Sequence, residues 1–78
     1  MLTTEEIRSA LVPLHPESLA VEDISGNCGT SFRIEISSKD FVGARLIERQ
    51  RMVHKALGDM MEEIHALELK CSLPTAGN

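Results

Sequence analysis

Cys28 and His65 are the two side chains of this 78-residue chain that most invite a chemical reading. Cys28 lies in the stretch ISGNCGTSF, between Gly26 and Gly29. A free cysteine is usually buried as a small hydrophobe, whereas flanking glycines mark a backbone bend. The thiol is therefore either incidental or presented to something. His65 follows Glu62-Glu63-Ile64 at an expected helix end, where the helix dipole favours an imidazolium and the plain reading is a capping histidine. His15 beside Pro16 and His54 on a basic helix face read as solvated histidines. Cys71 falls on the apolar alternation of the last strand and reads as core, as do Met60 and Met61.

Templates for catalysis are missing. The chain has no Ser/His/Asp set, no phosphate-binding glycine loop after a strand and no helical two-histidine metal motif. A cysteine nucleophile needs a base and an oxyanion site in a concave pocket, and so short a chain has little room to build one. Gly26-Asn27-Cys28-Gly29 spells GxxG, the signature of the KH nucleic-acid clamp. That clamp joins two helices, whereas here the segment joins two expected strands. The expectation is a binding module and not an enzyme.

Charge is unevenly spread. Between Phe41 and Leu57, Arg45, Arg49, Arg51 and Lys55 face only Glu48, and between Asp59 and Glu68 there are four acids and no base. These are either the solvated faces of two helices or, for the first, a surface for a protein or nucleic-acid partner. The whole chain carries −4, which argues against non-specific nucleic-acid binding through Lys and Arg. It also has no Trp or Tyr on which bases could stack.

The length implies one domain spanning 1–78, with a loose tail from 73 to 78. Hydrophobic residues at 42% and charged residues at 26% are ordinary for a globular protein. The core must be aliphatic, with Phe32, Phe41 and the methionines. No apolar run approaches a membrane span, and the first residues, MLTTEEIRS, are unlike a signal or transit peptide. Two cysteines allow at most one disulfide, and a reducing cytoplasm with free thiols is expected. The nucleus is an alternative, as is the mitochondrion for a chain freed of a presequence.

The elements that must position these groups follow from periodicity. Thr3 and Glu6 have capping-box spacing, and Ile7, Ala10, Leu11 and Leu14 continue at helical intervals until Pro13 and Pro16. Ser18 to Ile24 reads as a strand, and Thr30 to Ser37 as a clearer one, with Phe32, Ile34 and Ile36 alternating with Arg33 and Glu35. The glycine loop makes them a hairpin with Cys28 at its tip. A long helix follows Phe41-Val42-Gly43, with Leu46, Val53, Ala56 and Leu57 as its apolar set and Ile47 and Met52 flanking. Gly58 interrupts it. Asp59 and Glu62 can cap a second short helix that ends at His65-Ala66, before a strand through Leu67, Leu69 and Cys71. The fold class is α+β: α-β-β-α-α-β, a three-stranded sheet with helices on one face. The third strand is expected to pair with the first.

Three stretches resemble the BolA family across nearly the whole chain: DISGNCGTSFRIEI, FVGARLIERQRMVHKAL and EEIHALELKC. The spacing of Phe41-x-Gly43, Arg51-x-Val53 and Ile64-His65-Ala66 carries the likeness. Where many members read Arg-His-Arg, this chain has Arg49-Gln50-Arg51, and Gly-Lys is replaced by Gly43-Ala44-Arg45. The resemblance implies an α-β-β-α-β domain related to class II KH folds. It also implies pairing, as a heterodimer, with a monothiol glutaredoxin whose active site reads Cys-Gly-Phe-Ser. The pair would share a [2Fe-2S] cluster with glutathione and act in iron–sulfur trafficking or iron sensing. By the same resemblance His65 is a cluster ligand and Cys28 a second or nearby one. The sequence looks closest to the cytosolic branch. The alternative is a KH-like transcriptional regulator, as bacterial members resemble.

Overall fold

A computed structural model describes residues 2–26 and 29–75. The first element is α1 (Thr4–Leu11), started by the expected capping box. The Thr3 hydroxyl accepts the Glu6 N–H at 3.2 Å, and the Glu6 carboxylate accepts the Thr3 N–H at 2.9 Å. Two donors that the first turn would leave orphaned are thereby satisfied. Thr3→Ala is expected to cost about 1 kcal/mol, read as a fall of ~4–8 °C in the thermal midpoint. An unchanged midpoint would show that solvent satisfies those donors equally well.

Pro13 ends α1 sooner than the apolar spacing suggests: Val12–Leu14 tighten into a 3-10 turn. His15 then takes a left-handed φ of 53° and turns the chain into β1 (Pro16–Asp23). The Ser38 hydroxyl, itself buried, donates to the Leu14 carbonyl and clamps this turn to the end of β2 (Ser31–Ser38). β1 and β2 are antiparallel, with Leu19 opposite Ile36, Val21 opposite Ile34 and Asp23 opposite Phe32. The hairpin is as expected.

After β2 come a 3-10 turn at Lys39–Phe41, α2 (Leu46–Leu57), a 3-10 segment at Gly58–Glu63 and β3 (Ala66–Ser72). Gly58, at φ 55° and ψ −128°, stops α2 in a conformation that costs a residue with a side chain dearly. The expected second α-helix is instead this 3-10 segment. Its N-cap is Leu57, which makes no side-chain hydrogen bond, so Asp59 is not the cap. Met60 and Met61 still pack against the core.

β3 pairs with β2, in parallel, and the sheet order is β1-β2-β3. The expected pairing of the third strand with the first is therefore wrong. The reason lies in burial. Phe32, Ile34 and Ile36 of β2 are 0–1% exposed, whereas Leu19 and Val21 of β1 are only half-buried. The strand with the greatest apolar demand takes the centre, where both neighbours cover it. On the core face Leu67, Leu69 and Cys71 line up with Phe32, Ile34 and Ile36. On the other face Arg33 is held between Glu22 at 2.8 Å and Glu68 at 3.0 Å, one on each flanking strand.

The helices cover the core face, where Ile7, Leu11, Phe41, Val53 and Leu57 join the strand side chains. Leu46, expected in the core, is 56% exposed, and its neighbour Ile47 is 55% exposed. Residues 45–48 are all exposed, so the first turn of α2 overhangs the core that its later turns meet. Thr75 donates its N–H to Glu17 at 3.2 Å, and the rest of the expected loose tail, 76–78, lies outside the described residues. No helix among the described residues is long and apolar enough to cross a membrane.

Candidate functional site

The hairpin loop is built by short-range polar contacts. Asp23 ends β1 and its carboxylate accepts the Ser25 N–H at 2.9 Å, an Asx turn of the kind an Asp-x-Ser sequence favours. Ser25, through its side chain and then its backbone N–H, holds the Asp23 carboxyl below the ordinary carboxylate range. The Ser25 hydroxyl accepts the Ser31 N–H at 2.8 Å and donates to the Ser31 carbonyl at 3.2 Å. Gly26 and Gly29 face each other across an isolated antiparallel bridge. The neck of the loop is thus closed by hydrogen bonds that involve neither Asn27 nor Cys28. Both of those residues lie outside the described residues, and with them the position of the Cys28 thiol.

His65 is brought to this loop by the pairing of β3 with β2. Ser31 is the register partner of Ala66, so the residue before each strand meets the residue before the other. The Thr30 carbonyl accepts the His65 N–H at 2.7 Å and the Ala66 N–H at 3.4 Å. Gly29, with a φ of +106°, lies so close that a β-carbon there would sit 3.3 Å from the His65 Cβ and 3.5 Å from its Cγ. His65 itself is exposed. Beside it, a shallow depression of about 210 Å³ is lined by Leu2, Asp23, Ser25, Gly26, Gly29 and Thr30.

This geometry corrects the helix-cap reading of His65. The preceding 3-10 segment ends at Glu63, its C-cap is Ile64, and the closing hydrogen bond runs from the Ile64 N–H to the Met61 carbonyl. His65 stands beyond the helix, bonded to the hairpin loop. Spacing alone could not reveal the Thr30 carbonyl or the Gly29 contact. The one available hint was a second glycine directly after the cysteine.

The four cations are carried elsewhere, on α2 and the residue before it. Arg45, Arg51 and Lys55 are exposed, while Arg49 is half-buried and donates from Nε to the Ala44 carbonyl at 2.9 Å. None of the four pairs with a carboxylate among the described residues. His54 is exposed on the same helix, and His15 is exposed with its Nδ1 3.1 Å from Asp40.

Cys71 is buried and free, as the strand alternation suggested. Burial pushes its thiol above the ordinary value of 9.0, and the nearby Arg49 charge offsets part of the rise. As pH climbs past 9.0 the unfolded chain loses a proton that the native thiol keeps, so stability falls in that range. In a Cys28→Ser background the remaining thiol is expected to react slowly with iodoacetamide at neutral pH and quickly once urea unfolds the chain. Equal rates in both conditions would show that Cys71 is accessible. Among the described residues, no three His, Cys, Asp or Glu side chains gather where they could hold a metal ion.

A family model described as BolA-like protein matches residues 7–76. The chain is 51% identical over 71 residues to Protein BOLA2 of Arabidopsis thaliana, spanning 90% of this chain and 76% of that protein. Similarity to BolA-like protein 3 of Saccharomyces cerevisiae is 43% over 56 residues, covering 72% of this chain and 48% of that one. The solved structure of a Bol-like protein from Babesia bovis matches with a TM-score of 0.89 at 37% identity, covering 95% of this chain and 87% of the other.

Proposed function

This chain belongs to the BolA family, and from that premise we propose that it is an iron–sulfur adaptor, sharing a [2Fe-2S] cluster with a monothiol glutaredoxin and glutathione. The observation that carries the reading is the seat of His65, an exposed imidazole bonded through its backbone to Thr30 and set against Gly29. The covalent neighbour of Gly29 is Cys28.

The donor chemistry fits such a group. A [2Fe-2S] cluster needs four ligands and accepts imidazole in place of thiolate. His65 and Cys28 would supply two; a glutaredoxin cysteine and glutathione would supply the others. A neutral imidazole leaves less negative charge at the cluster than a thiolate and raises its potential. It also makes retention of the cluster compete with protonation, so a fall in pH loosens it. A cluster held this way is suited to being passed on or sensed. Its place of work, on this reading, is the reducing cytoplasm.

The nucleic-acid alternative finds less support. The GxxG segment joins β1 to β2, not two helices as in a KH clamp. No sequence-selective DNA complex is expected at physiological salt, and any binding through Arg45, Arg49, Arg51 and Lys55 should fall steeply as salt rises. A selective complex of submicromolar affinity would reverse the ranking. The direct test mixes the protein with a Cys-Gly-Phe-Ser glutaredoxin, iron, sulfide and glutathione. A visible spectrum distinct from that of the glutaredoxin alone is expected; an identical spectrum and unchanged hydrodynamic size would refute the adaptor reading.

A further inference from the structure

We propose that Gly29 is the positioning residue for His65, and that its missing side chain is what lets the loop hold the imidazole in place. The proposal deepens the ligand reading of His65 and rests on it. Two independent features meet at this glycine. Its φ of +106° is a conformation that L residues with side chains rarely adopt. Its α-carbon also faces His65 so closely that an added β-carbon would come within 3.5 Å of the histidine Cβ and Cγ. The 3.3 Å approach to the histidine Cβ is tighter than nine in ten real β-carbon contacts, so one of the two residues would have to give by a few tenths of an ångström.

His65 is poorly placed to give way. Its N–H is tied to the Thr30 carbonyl at 2.7 Å, and β3 begins at the next residue, in register with β2. What can yield is the side-chain torsion, which aims the ring, or the loop backbone on the other side. The first re-aims the imidazole and the second parts the loop from it. One missing methyl group therefore sets how the imidazole is presented. Outer groups that orient a metal ligand in this way are commonly worth ~10–100-fold in affinity.

The test has an apo arm and a loaded arm. In the apo arm Gly29→Ala is made alone and together with His65→Gly, which removes every His65 atom that the new β-carbon would meet. The single change is expected to lower the thermal midpoint by ~4–8 °C, and the drop should be smaller in the double variant, which keeps the strain of positive φ but loses the contact with His65. An equal drop in both backgrounds overturns the proposal, because the glycine would then serve the loop and not the histidine. D-alanine at position 29, introduced by peptide ligation at Cys28, is unstrained at positive φ and leaves the side facing His65 open. It should behave like glycine, and damage equal to that of Gly29→Ala would also overturn the proposal.

In the loaded arm, chelator removal of iron from the complex with the glutaredoxin should be ~10–100-fold faster for Gly29→Ala and unaltered for D-alanine. An unaltered rate for Gly29→Ala overturns the positioning role. The apo cycle needs no cluster, so failure of the ligand reading, seen as a cluster indifferent to His65→Ala, remains distinguishable from failure of the glycine's role.

Discussion

His65→Ala is expected to abolish the cluster shared with the glutaredoxin or to replace its spectrum with that of the glutaredoxin alone. The effect is large because the ligand is pre-oriented. The His65 backbone is held by the Thr30 carbonyl at one side and by the start of β3 at the other, so the main chain that carries the ring is already placed. Losing it removes the one imidazole that the β2–β3 pairing brings to the hairpin loop among the described residues. Cys28→Ser should be milder, weakening or retuning the cluster, because water, hydroxide or another thiol can enter at that position. Both variants should fold, as His65 is exposed and contributes nothing to the core. The measurements are visible absorbance, chelator resistance and the circular dichroism of each apo protein. A folded His65→Ala variant with unchanged absorbance and chelator resistance would sink the ligand assignment.

The second large effect lies at Phe32. It is fully buried on the central strand, with Leu67 of β3 opposite it on one side and Asp23 of β1 on the other. Phe32→Ala removes the whole phenyl ring from a site where strands close in on both edges, and should cost about 3–5 kcal/mol. A chain of this size has a total stability of roughly 4–12 kcal/mol at the usual figure per residue. The variant should therefore be largely unfolded at growth temperature or melt far below the parent. Phe32→Leu, which leaves a smaller void, should fold with a lowered midpoint. Glu35→Ala, on the exposed face of the same strand, should change the midpoint little. Urea unfolding followed by far-ultraviolet circular dichroism ranks the three, and a Phe32→Ala midpoint close to the parent's would show that the core collapses around the gap.

Local order was legible from residue types because short-range physics decides it. Thr3 and Glu6 form their capping box, Phe32, Ile34 and Ile36 alternate into the core, and Gly58 ends α2. Each depends on neighbours only a few positions away. The spacing of Leu46 from Val53 was read correctly as helical, but not its burial. A helix face says which residues share a side and not where along the helix the core stops. In the same way, the residues after Gly58 carry a helical pattern, yet the chain takes the tighter 3-10 path on its way to β3.

The sequence by itself determined the three strands, the two α-helices, their order and their apolar sides, and it set Cys28 and His65 37 positions apart. Only the tertiary structure decided which edge of the hairpin β3 would take, and the site depends on that choice. Antiparallel pairing with β1 would also have brought His65 to the loop's end of the sheet. Pairing with β2 alone sets Ala66 opposite Ser31, and hence His65 against Gly29 and Thr30. Strand partnership is a competition among non-local contacts, settled by which strand must be covered on both edges. No periodicity within one segment records its outcome.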